Sequence, residues 1–163
     1  MMTKKYVVMG VSGCGKSSIG EALATKLGIA FYDGDDFHPQ INVEKMLNGI
    51  PLTDDDRQSW LETLNSIIVN EPALVVACSA LKPEYRDILR KNCPQLQFIY
   101  LKGKFDTIWQ RHKMRQGHYF KGSAMLESQF NTLIEPNRLE AMHVDIDKTP
   151  EEIIEQILTN IAQ

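Results

Sequence analysis

The sequence has little that would tie the chain to a membrane, a nucleic acid or an oxidising compartment. Its longest apolar stretches, such as Tyr6–Met9 and Ala73–Cys78, fall far short of the roughly 20 residues that span a bilayer. Lys4 and Lys5 precede only a short apolar run before Gly10, too little for a secretory signal. Three cysteines, Cys14, Cys78 and Cys93, are too few and too scattered for a disulfide framework. No Cys-x-x-Cys pair or His-rich tract suggests zinc. With 18 basic and 21 acidic residues the net charge is −3, so the cationic surplus of a nucleic-acid binder is missing. Repeats, low-complexity tracts and linkers rich in Pro, Gly and Ser are absent too. The expectation is a reduced, cytoplasmic protein, 1–163 forming one domain, with neither nucleic acid nor membrane as partner.

What is present is a core-forming composition, 43% hydrophobic and 24% charged. Short apolar runs alternate with stretches of helical period. Tyr6–Met9, Ala30–Tyr32, Leu74–Cys78, Leu96–Leu101 and His143–Ile146 read as strands. After the first comes a helix with Ile19, Ala22, Leu23 and Leu27 on one face, stopped by Gly28. Thr53-Asp-Asp-Asp56 places a cap and three carboxylates at the positive end of a helix bearing Trp60, Leu61, Leu64, Ile67 and Ile68. A helix with Phe105, Ile108 and Trp109 follows the fourth strand, and Thr149-Pro-Glu-Glu152 opens the last helix as a capping box. Strand–helix alternation with nearly continuous apolar strands implies an α/β fold, a parallel sheet covered on both faces. Ligands of such sheets bind outside the carboxyl ends of the strands. Cys78 reads as buried and Cys93 as near the surface.

Gly10-Val-Ser-Gly-Cys-Gly-Lys-Ser17 fits the Walker A pattern G-x-x-x-x-G-K-[ST] and sits where that pattern has a mechanism, after a strand and opening a helix. Glycines let the backbone wrap an anion, so that N–H groups and the helix N-terminus face a β-phosphate. Lys16 then bridges the β- and γ-phosphates and Ser17 ligates Mg²⁺. The expected ATP contacts are Gly10, Val11, Ser12, Gly13, Cys14, Gly15, Lys16, Ser17 and Ser18; the alternative is an ordinary glycine turn. NTPases, GTPase switches and small-molecule kinases all share this loop. The Asn/Thr-Lys-x-Asp stretch of guanine specificity is missing, and the chain is too small for appended machinery. A compact kinase closing a lid over ATP and a small acceptor fits best.

Tyr32-Asp-Gly-Asp-Asp-Phe-His-Pro39 follows the second strand directly. Two aspartates one residue apart beside a phosphate loop have two evident tasks, holding Mg²⁺ and accepting the acceptor hydroxyl's proton. The alternative is a polar turn capping the next helix, a task expected of Asp36 in any case.

This turn and the phosphate loop, with Asn42-x-x-Lys45-Met46, Pro51-Leu-Thr-Asp-Asp-Asp-Arg57, Trp60, Ser79-Ala-Leu-Lys82, Tyr85-Arg86, Gly117-His118, Ser128-Gln-Phe130 and Glu135-Pro136, resemble gluconate kinases (gluconokinases). The resemblance runs from about residue 6 to 147, and the later motifs separate it from shikimate and adenylate kinases. It implies ATP-dependent phosphorylation of the 6-hydroxyl of D-gluconate and a homodimer. It also implies a three-layer α/β/α P-loop kinase fold with a five-stranded parallel sheet, a substrate-binding helical segment over about 37–70 and a helical lid over about 111–127. Two departures are visible. Cys14 stands where serine is expected, with only its backbone N–H mattering, and the stretch between His118 and Ser128 is about one residue longer than usual.

Within this resemblance, Ser17 and Asp33 organise Mg²⁺, and Asp35 acts as base or positioner of the hydroxyl. The substrate-binding set is Asp35, His38, Arg57, Ser79, Lys82 and Arg86. Gluconate is a polyol with a carboxylate. Arg57 suits that carboxylate by bidentate pairing, or else pairs with acids on its own helix. Lys82 and Arg86 face the cleft if helical, and His38 bonds a hydroxyl or packs on the turn. Arg111 and Arg115, four apart, either neutralise the transferring phosphoryl or form a solvated helix face. Lys16→Ala is expected to cut turnover about 10²–10³-fold at saturating ATP without changing the thermal melting curve. Wild-type turnover would dismiss the phosphate loop.

Overall fold

The computed structural model describes residues 4–113 and 123–162; Arg115, Gly117 and His118 lie outside the described residues. Strand β1, Lys5–Met9, is buried along its whole length and feeds the glycine-rich loop. Helix α1, Lys16–Leu27, ends as expected at Gly28, whose φ of 70° is a left-handed conformation that costs glycine little. Its buried face is Ile19, Gly20, Leu23 and Ala24, and Ala22 is exposed, one position away from the expected face. The reason is steric: a Cβ at Gly20 would stand 2.9 Å from the Phe31 ring, so the small residues turn toward the sheet and let the helix approach it.

Strand β2, Ala30–Asp33, is followed by a 3₁₀ turn, Gly34–Phe37, and helix α2, Gln40–Leu47. Helix α3, Asp54–Asn70, starts with a reciprocal capping box between Thr53 and Asp56 and buries Trp60, Leu61, Leu64 and Ile68. Strand β3, Leu74–Ala77, leads to α4, Pro83–Arg90, and β4, Gln97–Lys102, leads to α5, Phe105–Lys113. Helix α6, Ala124–Thr132, precedes β5, Ala141–Asp145, which starts two residues before the expected strand. Helix α7, Pro150–Ile161, is capped by Thr149 and Glu152 as read from the sequence.

The five strands form one parallel sheet in the order β2-β3-β1-β4-β5. Val7 at the centre pairs with Val76 on one side and Phe98 on the other. Helices α1 and α7 pack together, as do α3 and α4. The right-handed rule for parallel crossovers puts the two pairs on opposite faces, giving the three expected layers. The connection from β1 runs to β2 and the one from its neighbour β3 runs the other way to β4, so the crevice at the carboxyl ends of these two strands is the switch point where such folds bind ligands. Cys78 is buried as expected, but so is Cys93, 1% exposed, because the turn after α4 folds it into the core and its N–H reaches the Arg90 carbonyl at 2.9 Å. Among the described residues, no helix is long and apolar enough to cross a membrane.

Thr53→Ala is expected to cost about 1 kcal/mol in a urea melt. The partner in that box, Asp56, is held by the Lys45 ammonium and the Thr53 N–H at about 2, below its ordinary 3.8. Its stabilising contribution is therefore full above the ordinary value and lost as pH falls through about 2. The stability gap between wild type and Asp56→Asn should close in acid over that window, not at neutral pH.

Candidate active site

The site is organised where β2 ends. Asp33 accepts the Ser17 hydroxyl on Oδ2 at 2.9 Å and the Asp35 backbone N–H on Oδ1 at 3.0 Å, so one carboxylate ties the start of α1 to the 3₁₀ turn. Asp33 thus caps this turn, whereas Asp36, expected to cap the next helix, lies exposed inside the turn, and the N-cap of α2 is Pro39 with no side-chain cap. Asp33 is the residue one position before the turn, where an Asx cap sits. Gly34 lies so close to β3 that a Cβ would stand 2.5 Å from the Ala77 carbonyl oxygen. The Trp60 indole donates to the Gly34 carbonyl at 2.7 Å and fixes the turn from α3.

Above this floor is a cavity of about 270 Å³. Ser12, Gly13, Gly15, Lys16 and Ser17 line its base; Asp35, His38, Arg57, Trp60 and Ser79 form one wall. Met125, Ser128 and Gln129 of α6 form the other, with Met46, Pro51 and Leu52 beside the first. Burial raises the Asp35 carboxyl above its ordinary value, Lys16 opposes this and Asp33 adds to it. Half of its side-chain surface, 53%, is still open to the cleft, so it stands at the bottom of an open crevice and not inside the core. A carboxylate shifted upward holds a proton more readily, the property a general base needs. His38 stacks on Trp60 with ring centroids 4.0 Å apart, and burial and the Arg57 charge push it down to about 4, so it is neutral.

The structure gathers Ser12, Gly13, Gly15, Lys16, Ser17, Asp35, His38, Arg57 and Ser79 around this one cavity. Gly10, Val11, Cys14 and Ser18 support the loop without lining it. The Gly10 N–H reaches the Ser79 carbonyl at 3.3 Å, and the Cys14 N–H closes a turn onto Val11 at 3.2 Å. Arg57 donates to the Leu52 carbonyl and the Tyr85 hydroxyl, both at 2.9 Å, and makes no ion pair with a carboxylate among the described residues.

Lys82 and Arg86 do not line the cavity. Lys82 pairs with Asp54 at 3.1 Å, and the Tyr85 hydroxyl donates to the same carboxylate. Arg86 is fully buried, because its guanidinium is used for structure: it donates to the Ala80 carbonyl at 2.7 Å, the Ile134 carbonyl at 3.0 Å and Glu140 at 3.1 Å. Ala80 has φ 47°, a left-handed conformation that Ala resists, in the turn presenting Ser79. Arg86 thus clamps a strained turn from behind. Arg111 donates to the Ile146 carbonyl at 3.0 Å and is also absent from the cavity wall.

The cavity-lining residues that sequence reasoning left out of the site are Met46, Pro51, Leu52, Trp60, Met125, Ser128 and Gln129. Gln129 Oε1 accepts the Ser12 N–H at 2.6 Å, docking α6 on the phosphate loop. Ser128-Gln-Phe130 had marked the place; the contact across the fold carried no local signal.

Among the described residues, no cluster of three or more His, Cys, Asp or Glu would hold a metal by itself. Ser17 and Asp33 offer a hydroxyl and a carboxylate side by side, hard oxygen donors that fit Mg²⁺ held jointly with phosphate oxygens.

A glycine-rich loop opening α1, a parallel sheet with its switch point beside β1, and a crevice that holds Lys16 and Asp35 define a P-loop kinase for a small acceptor. Residues 12–162 match the family model described as shikimate kinase. The thermoresistant gluconokinase of Escherichia coli K12 is 50% identical over 91% of this chain and 88% of its own length. The thermosensitive gluconokinase of the same organism is 46% identical over 90% of this chain and 80% of its own length. A crystal structure of a gluconokinase from Sinorhizobium meliloti 1021 superposes with TM-score 0.92 at 42% identity, covering 99% of this chain and 93% of that one. The chain belongs to the gluconokinases, within the wider shikimate kinase family.

Gly34→Ala should cost about 1–3 kcal/mol through overpacking and move Asp35 off its mark. Melting temperature and turnover are expected to fall together; an unshifted melt would mean that the turn has room to spare.

Proposed function

We propose that this protein transfers the γ-phosphoryl of ATP to the 6-hydroxyl of D-gluconate. The observation that carries the reading is the single cavity in which Lys16 and Ser17 face Asp35, His38, Arg57 and Ser79. The 50% identity to a gluconokinase supports gluconate as the acceptor. The loop N–H groups and Lys16 hold the nucleotide phosphates. Ser17 and Asp33 hold Mg²⁺, which when bound supplies charge neutralisation at the phosphoryl oxygens. Asp35 orients the acceptor hydroxyl and takes its proton as the oxygen attacks the γ-phosphorus. The bond to the β–γ bridging oxygen breaks, and ADP leaves. Arg57, with no carboxylate partner among the described residues, offers its remaining N–H groups to the gluconate carboxylate. His38 and Ser79 serve the hydroxyls.

Lys82 and Arg86 keep a place in this scheme as supports of the acceptor wall. Arg111 and Arg115 are assigned to the moving phosphoryl within a lid over about 111–127. For Arg111 that role requires exchanging the Ile146 carbonyl for a phosphate oxygen on closure. The segment over about 37–70 forms the acceptor side, within one domain. A homodimer, as the family resemblance implies, in the reduced cytoplasm that the composition points to, completes the reading.

An ADP-release assay over gluconate, shikimate, other sugar acids and nucleoside monophosphates tests the acceptor, and phosphorus-31 coupling in the product tests the 6-position. Gluconate should give the highest kcat/KM, and a higher value with shikimate would overturn the reading. Raised Mg²⁺ is expected to rescue Asp33→Asn in part and Asp35→Asn not at all, because only the former loses a metal donor; equal rescue would cancel the division between them.

A further inference from the structure

Asn42 on α2 is fully buried, and the chemistry around it fixes which way its amide points. Nδ2 lies 2.8 Å from the backbone carbonyl of Asp56. A carbonyl only accepts, so the nitrogen of the amide has to face it. The same Nδ2 lies 3.2 Å from Nδ1 of His38. An amide nitrogen has hydrogens to give and no lone pair to offer, so Nδ1 is the acceptor and the ring's one proton is on Nε2. Asn42 Oδ1, in contrast, is buried without a hydrogen-bond partner among the described residues. Leaving that oxygen unpaired is costly, and the amide is retained for its two donors.

The donor set by this relay points into the site. Nε2 of His38 lies 3.8 Å from Asp35 Oδ1, and both residues line the cavity. That gap is too long for a direct hydrogen bond and leaves room for an oxygen bonded to both. The ring is neutral and stacked on Trp60, so the donor is uncharged and its plane is held.

We propose that Asn42 is a positioning residue that holds His38 as the neutral Nε2–H tautomer, so that His38 as donor and Asp35 as acceptor together read one hydroxyl of the acceptor substrate. A hydroxyl oxygen accepts from Nε2–H while its own proton points to Asp35. A carboxylate cannot donate to Asp35, and a methylene leaves both groups unpaired. The other tautomer would aim a lone pair at the same oxygen and lose the contact. The identity of that substrate as gluconate rests on the function proposed above; the tautomer does not.

The test begins with the wild-type protein labelled with nitrogen-15 histidine, whose long-range proton–nitrogen spectrum distinguishes the two tautomers; the His38 signals are those lost in His38→Gln. A protonated Nε2 and an unprotonated Nδ1 at neutral pH are expected, and an Nδ1–H or doubly protonated ring would overturn the proposal. Asn42→Asp should move the proton to Nδ1 and lower kcat/KM for gluconate about tenfold or more, the loss of one hydrogen bond, with the KM for ATP changed less than about twofold. If that variant fails to fold, two His38 variants decide the point. Glutamine puts an amide N–H where Nε2 stands and asparagine where Nδ1 stands. His38→Gln should keep about tenfold more kcat/KM than His38→Asn, and equal losses would overturn the role given to Nε2. A wild type that shows the Nε2–H ring yet ignores gluconate would remove the substrate reading and keep the tautomer.

Discussion

The Asp33 carboxylate is the joint on which the site depends. One of its oxygens takes the Ser17 hydroxyl and the other takes the Asp35 N–H, so the start of α1 and the turn after β2 share a single anchor. β2 and β1 are separated by β3 in the sheet, and this bridge over their carboxyl ends is what gives the two loops a fixed relative position. Gly34 presses the turn onto the Ala77 carbonyl, and Trp60 holds it from the helix side. Preorganisation of this kind matters in phosphoryl transfer, where catalysis is mostly positioning and charge stabilisation.

Around that joint, charge is handled in two different ways. Lys16, Asp35 and Arg57 line the crevice, where ligands reach them. Arg86 is sealed away, satisfied by two carbonyls and by Glu140, which Arg90 also holds at 2.6 Å. Removing one partner from a buried charged cluster typically costs about 3–5 kcal/mol, because the remaining charge is stranded. The clamp therefore maintains the left-handed Ala80 turn, and through it Ser79, without touching a ligand.

Much of this was legible in the sequence because the signals are local. The five strands are short apolar runs, the capping boxes at Thr53 and Thr149 are spelled out within four residues, and the phosphate loop is a contiguous pattern. Lys16, Ser17, Asp35, His38, Arg57 and Ser79 converge as read, and the Ser17–Asp33 pair is in contact. What escaped the sequence depends on partners far away along the chain. Arg86 follows a strand just as a cleft residue would, and only the arrival of Ile134 and Glu140 makes it structural. Cys93 is buried by a turn that periodicity does not see, and Gln129 reaches Ser12 across 117 residues. Asp36 reads as the cap of the next helix, but a 3₁₀ turn intervenes and takes it in, so that the N-cap of α2 is Pro39, without a side-chain cap.

The strand order has a consequence for how such a protein can change over time. With β1 in the middle, one wall of the cavity is supplied from the β2 and β3 side, by Asp35, His38, Arg57, Trp60 and Ser79, while the opposite wall comes from α6, beyond β4. The phosphate loop, between the two, belongs to neither. Side chains between residues 34 and 79 can therefore be changed without touching the loop that opens α1. Diversification within this architecture is divided along the axis of its central strand.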